Sequence, residues 1–179
     1  LLSRVGLTDV VRDLPGQPDY EGLIEARAIG ATCGGIRVWS VYVPNGREPD
    51  HHHYRYKLQW LDTLRDTVGT EQATSPELAY AVIGDFNVAP TDADVWDVNA
   101  FVGSTHITEA ERARLNQLQQ VGLVDIYPRS LKGEPYTFWD YRNGSFYKGF
   151  GMRIDLIMAN EVFRQRIKDT YVDRDARKG

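Results

Sequence analysis

The order of local patterns predicts an α/β fold for this chain, and three stretches carry the prediction. Ile36-Arg37-Val38-Trp39-Ser40-Val41-Tyr42-Val43 alternates apolar with polar residues and is rich in β-formers, which predicts a strand. Tyr54, Leu58, Leu61, Leu64 and Val68 recur at helical spacing and predict an amphipathic helix over 54–68. Ala79 to Ile83 is a short uncharged apolar run, the pattern of a strand buried on both faces.

Taken in order, Leu1 to Leu14 reads as a strand remnant and a polar turn, and Pro15-Gly16-Gln17-Pro18 as a loop. Ile24 to Ile29 alternates, which suggests a half-exposed strand, and Cys33-Gly34-Gly35 makes a hairpin-like turn. The strand over 36–43 stops at Pro44-Asn45-Gly46, leaving Tyr42 and Asn45 at its end; residues 47–53 follow as loop. After the helix, Gly69 to Pro76 is a polar linker into the apolar run, which Gly84 interrupts and Pro90 ends. Thr108, with Glu111 three residues on, forms a capping box and opens a second helix running to Gln120. Gly122 is its C-cap, followed by the short apolar piece Leu123 to Tyr127. Tyr136 to Tyr141 is an aromatic strand, Arg153 to Ala159 another, and Glu161 to Lys168 a short helix. No internal repeat or low-complexity segment appears.

A length of 179 residues suits one domain with a real core, and 42% hydrophobic with 26% charged residues is ordinary for a globular chain. No apolar run approaches the roughly 20 residues a helical span needs, so no membrane segment is expected. The single cysteine, Cys33, excludes an internal disulfide and fits a reducing cytoplasm, the expected location. A net charge of −4 supplies no global basic field for nucleic acid, although a local cationic stripe over an acidic metal site is compatible with it. The chain opens on Leu1-Leu2-Ser3-Arg4 without an initiator Met and closes on a charged stretch ending at Gly179, so it is expected to be the interior of a longer protein.

The candidate chemistry starts at Asp85 and Asn87. In an extended segment residues two apart share a side, so this carboxylate and carboxamide leave the strand end together. Such a pair suits holding a divalent cation or orienting a water against a phosphate; a strand running into an Asx turn is the alternative. Asp155 interrupts an apolar strand and would be costly if buried without partners, so either its face is solvated or it orients a group such as a histidine. Tyr42 and Asn45 have a plain reading as a packing tyrosine and a turn asparagine. Phe138, Trp139 and Tyr141 read equally as core, and Met152 as filler. Three consecutive histidines, His51-His52-His53, point in different directions and do not suggest a metal site.

Together these segments carry more. Tyr42-Val43-Pro44-Asn45-Gly46, Gly84-Asp85-Phe86-Asn87-Val88-Ala89-Pro90-Thr91-Asp92, and Phe138-Trp139-Asp140-Tyr141 with Gly151-Met152-Arg153-Ile154-Asp155-Leu156 resemble the exonuclease III family. These are the class II abasic-site endonucleases of the DNase I-like endonuclease/exonuclease/phosphatase superfamily. The match runs in order across nearly the whole chain. The central motif is shared across the superfamily, while the first and last segments tilt toward the DNA-repair branch.

The resemblance implies a single-domain, four-layer α/β sandwich, with two packed mixed or antiparallel sheets flanked by helices and incomplete at both ends. It implies a Mg²⁺-dependent nuclease (with Mn²⁺ as a substitute), a monomer that cleaves double-stranded DNA at abasic sites and at 3′ ends. Tyr42 would contact the phosphate or nucleophile and Asn45 the phosphate. Asp85 would activate water, Asn87 would hold a non-bridging oxygen, and both would serve the metal. Asp155 would orient a histidine. Phe138, Met152 and Trp139 would form an apolar pocket for an extruded abasic sugar, and Arg47 and Lys57 would lie near the DNA backbone. The metal-binding glutamate and the Ser-Asp-His motif of that family are expected outside residues 1–179, and the piece by itself is expected to be inactive. A superfamily phosphodiesterase acting on lipid or inositol phosphates, or an inactive DNA-binding module, are the alternatives.

Overall fold

The computed structural model describes residues 1–177, with the side chain of residue 177 outside the description. Its strands are β1 (Thr8–Arg12), β2 (Ala28–Cys33), β3 (Ile36–Tyr42), β4 (Ala79–Asp85), β5 (Val124–Asp125), β6 (Arg129–Ser130), β7 (Phe138–Trp139), β8 (Gly151–Met152), β9 (Asp155–Ala159) and β10 (Tyr171–Val172). The α-helices are α1 (His52–Thr74), α2 (Glu109–Gln120), α3 (Ser145–Lys148) and α4 (Glu161–Arg164).

A six-stranded mixed sheet in the order β1-β2-β3-β4-β9-β5 dominates, joined by the two-stranded ladders β7-β8 and β10-β6. Among the described residues the expected pair of sheets is thus one large sheet and two short ladders. β2 and β3 form the expected hairpin: Cys33 pairs with Ile36, and Gly34 and Gly35 between them both take positive φ, at 56° and 76°. One face of the sheet carries Trp39, Val41, Tyr80, Val82, Leu156 and Met158, packed beneath Tyr56, Trp60, Leu61, Leu64 and Val68 of α1 and Leu115 and Leu118 of α2. By the period of two, Tyr42, Asp85 and Asp155 belong to the opposite face, at one rim of the sheet.

The boundaries differ from the sequence reading where long-range contacts decide. The 69–76 stretch is not a linker: α1 continues to Thr74 because Glu71 accepts from Arg37, Trp39 and Tyr80, and Gln72 donates to the Val121 carbonyl at 2.6 Å. The second strand starts at Ala28, not Ile24. The aromatic strand shrinks to Phe138–Trp139, since the chain turns through left-handed Asn143 and Gly144. The strand expected from Arg153 begins at Asp155, because the Arg153 and Ile154 amides go to the Asp94 carbonyl and Thr137 Oγ1. The predicted capping box at Thr108 and Glu111 is present. Among the described residues no helix is long and apolar enough to cross a membrane.

Candidate active site

Tyr42, Asp85 and Asp155 stand in one row across three strands. Tyr42 is the register partner of Asp85 in the parallel β3-β4 pair, and Asp85 that of Asp155 in the antiparallel β4-β9 pair. The close approach behind this row requires Gly84, whose φ is +137° and whose added Cβ would lie 2.1 Å from the Val41 carbonyl oxygen. Thr137 Oγ1 accepts from the amides of both Ile154 and Asp155, which fixes the backbone that presents the second carboxylate.

Asp85 and Asn87 do come together, by an Asx turn rather than by strand alternation. The strand ends at Asp85, Asn87 takes a left-handed φ of 50°, and its amide donates to Asp85 Oδ1 at 2.8 Å. Asn87 Nδ2 donates to Asp85 Oδ2 at 3.1 Å and to the Val43 carbonyl at 2.9 Å. A carbonyl accepts only, so the Asn87 amide group is pinned with its nitrogen toward Asp85. Its oxygen faces Asn45 Nδ2 at 3.3 Å. Asn87 thus presents a donor to Asp85 and directs its oxygen toward Asn45, and the nearby anionic oxygens come from Asp85 and Asp155.

Burial pushes the Asp85 carboxyl up from 3.8 to about 6; the Asn87 amide opposes this and the charge of Asp155 adds to it. Asp155 is exposed, as one of its two readings required. The four histidines find partners other than Asp155: His51 caps α1, His52 meets Tyr20 and Glu21, His53 accepts from Gly46, and His106 meets Asn87 and Asn45. Among the described residues no group of three or more His, Cys, Asp or Glu side chains is placed to hold a metal. Two carboxylates with hard oxygens nonetheless fit part of the shell of a divalent cation that retains several waters.

Lys57 departs most from expectation. It is fully buried, not on a polar face, so it cannot reach a DNA backbone. Its ammonium pairs with Glu111 and donates to the carbonyls of Asn45 at 3.1 Å and Asn87 at 2.7 Å. It thereby ties α1 and α2 to both loops that carry the carboxamides. Arg47 is exposed beside Asn45, with a left-handed φ of 61° and its Nη1 3.3 Å from His51 Nε2. Tyr42 is 54% exposed, and the Arg27 guanidinium lies 5.0 Å from its ring centroid.

A cleft of about 450 Å³ opens at the rim, lined by Asp85, Asp155, Thr137, Phe138, Trp139 and residues 171–174. Phe138 and Met152 are register partners, half-buried and both packed against the cluster of Ala89, Val95 and Ile154, but only Phe138 lines the cleft. Trp139 lines it with little surface: it is 3% exposed and packs edge-on against Tyr136 and Phe146, with the Arg174 guanidinium 5.5 Å from its ring. Its expected pocket role is mainly one of support. A cavity of similar size, about 460 Å³, lies at the other end of the strands beside Arg37, Glu71 and Tyr80. Those charges already satisfy one another, which leaves the rim cleft as the candidate site.

The sequence reading missed His106, whose contacts are long-range, and the role of Arg153. Arg153 is 1% exposed and bridges Asp94 and both oxygens of Asp125. A charged residue inside the apolar run Met152 to Leu156 was its only local signal.

Comparison with known proteins bears on this geometry. Over 99% of the chain the fold superposes on a Neisseria 3′ phosphatase, NExo, bound to a product DNA hairpin, with a TM-score of 0.89, 34% identity and 67% of that chain covered. An AP endonuclease from Archaeoglobus fulgidus gives a TM-score of 0.74 and 32% identity over 87% of this chain and 59% of that one. An exodeoxyribonuclease of Bacillus subtilis is 28% identical over 155 residues, 84% of this chain and 59% of its own length. A DNA-(apurinic or apyrimidinic site) endonuclease of Dictyostelium discoideum is 28% identical over 147 residues, and this chain spans 40% of it. The chain thus spans between two-fifths and three-fifths of these curated relatives. Residues 1–175 match the model of one family: the chain belongs to the Endonuclease/Exonuclease/phosphatase family.

Proposed function

We propose that this chain carries the hydrolytic rim of a DNA-repair phosphodiesterase, an abasic-site endonuclease and 3′→5′ exonuclease of the exonuclease III type assisted by Mg²⁺. The observation that carries the reading is the row Tyr42–Asp85–Asp155, with the Asn87 and Asn45 carboxamides hydrogen-bonded in series to Asp85. Asp85 and Asp155 would hold the cation, which when bound neutralises charge on the phosphate.

The residues themselves can do the rest. The Asp85 carboxylate, ionised once the cation is bound, can orient the attacking water and accept its proton. Asn87 Nδ2 makes its longer bond to Asp85, so a non-bridging phosphate oxygen can take over that donor as charge develops. Tyr42 offers an exposed hydroxyl beside Asp85, and Arg47 an exposed cation for a neighbouring phosphate. Phe138 lines the cleft with an apolar surface suited to a sugar that has lost its base, the nucleotide cheapest to extrude.

The test is cleavage by the intact protein that carries this chain, on duplexes with one abasic analogue, on intact duplexes and on recessed 3′ ends, with and without Mg²⁺. Metal-dependent incision of the abasic duplex, lost in Asp85→Asn, is expected. Hydrolysis of inositol phosphates or sphingomyelin with DNA left intact would overturn the reading.

A further inference from the structure

His106 occupies the far end of the hydrogen-bond series that reaches Asp85. Its Nδ1 lies 2.6 Å from the Asn87 carbonyl oxygen, which accepts only, so Nδ1 carries the proton and Nε2 a lone pair. That lone pair faces Asn45 Nδ2 at 3.4 Å. Asn45 Nδ2 in turn donates to Asn87 Oδ1, while Asn45 Oδ1 accepts from the Arg47 amide at 3.0 Å. Asn87 Nδ2 then donates to Asp85. Each link fixes which end of the next amide is nitrogen and which is oxygen.

The backbone of His106 is strained to make these contacts. Its φ of 82° lies in the left-handed region, disfavoured for a residue with a Cβ. The conformation is held by a bond from the His106 amide to Glu111 Oε1 at 3.0 Å, and by one from the Ala89 amide to the His106 carbonyl at 2.8 Å. Burial, reinforced by the Lys57 charge, pushes the imidazole down to about 4 and keeps Nε2 an acceptor.

We infer that His106 is a positioning residue: its ring, bonded to the Asn87 main-chain carbonyl and facing the Asn45 amide nitrogen, holds the Asn45 carboxamide and the Asn87 loop in register, so that the two amides meet the substrate phosphate in a fixed arrangement. It touches no reacting atom. The inference rests on the phosphodiesterase reading above for its consequence in catalysis, but not for its geometry.

The deciding variant is His106→Gly. Glycine takes a φ of 82° without strain, so the variant removes the ring while relieving the backbone, which offsets part of the stability lost with the ring's hydrogen bonds. Misorienting two groups that contact the transition state should lower kcat by about 10- to 100-fold, with KM changed by less than about threefold. Added imidazole should restore part of kcat. His106→Asn, which tolerates left-handed backbone and offers a donor toward the Asn87 carbonyl, should fall between the two.

The side-chain amide resonances of Asn45 and Asn87 should shift in His106→Gly without substrate. Wild-type kcat together with unmoved amide resonances would overturn the inference, as would an activity loss that merely tracks loss of folded protein. If the wild type cleaves no DNA, the nuclease reading fails alone and the amide resonances decide: shifted signals support the positioning role, unmoved ones end it.

Discussion

Asp85 and Asp155 face each other across the β4-β9 pair as register partners, two carboxylates side by side at the rim of one sheet. Like charges in adjacent cross-strand positions disfavour each other, and Asp85 is also partly buried, so its charged form is costly. A divalent cation between such groups removes the conflict. The row is thus poorly suited to stability alone and well suited to a metal and a phosphate.

The pH dependence follows. Burial first, and Asp155 further, raise the folded Asp85 pKa from 3.8 to about 6. A raised folded pKa stabilises most below the unfolded value, and that contribution is lost as pH rises through about 6. The Tm difference between metal-free wild type and Asp85→Asn should therefore move against the wild type between pH 4 and 7. Saturating Mg²⁺ should cancel the movement, and at limiting Mg²⁺ the acid limb of kcat/KM should lie near pH 6. A Tm difference that is flat with pH in the metal-free protein would refute this.

Lys57→Ala should destabilise rather than merely weaken DNA binding. It leaves Glu111 buried without its counter-charge and removes two bonds to loop carbonyls, so a loss of about 3–5 kcal/mol is expected from chemical unfolding. The salt dependence of duplex binding, measured on the folded fraction, should keep its slope because no phosphate contact is removed. A shallower slope with unchanged stability would return Lys57 to the surface.

The parts of this molecule legible in sequence are those whose cause is local. The alternation at Ile36–Tyr42, the apolar run before Gly84 and the capping box at Thr108 each hold their own explanation within a few residues, and all three appear. Asp85 and Asn87 stood out as candidates because strand ends expose polar side chains, whereas Tyr42 read as a packing residue until the family resemblance singled it out. Lys57 was misread because its helical position looks polar until α2 delivers Glu111, 54 residues away, to neutralise it. His106 was passed over for the same reason: its partners at positions 45 and 87 lie 61 and 19 residues off. The 69–74 turns of α1 are helical for the sake of Glu71 and its three partners, not by propensity.

Arg153→Met should cost more than its single charge suggests. The guanidinium is the common partner of Asp94 and Asp125 and lies 4.3 Å from the Tyr127 ring centroid, so its loss strands two carboxylates, one of them fully buried. About 3–5 kcal/mol is expected from chemical unfolding, with Arg153→Lys, which keeps the charge, losing less. Equal losses in Arg153→Met and Arg153→Lys would show that charge alone is not what Arg153 supplies.

Phe138 and Met152 have been paired by register, but only Phe138 lines the cleft, and this separates their effects. Phe138→Ala should erode discrimination between abasic and intact duplexes more than it lowers general phosphodiester cleavage, by about tenfold, the scale expected when one apolar wall of a pocket is removed. Both substitutions remove packing against the cluster of Ala89, Val95 and Ile154 and should lower Tm, but Met152→Ala should leave discrimination intact. Steady-state kcat/KM on the two duplexes, set beside thermal unfolding of both variants, checks the assignment. If both substitutions reduce cleavage of abasic and intact DNA in equal proportion, the cleft wall at Phe138 is core and the selecting surface lies elsewhere on the rim.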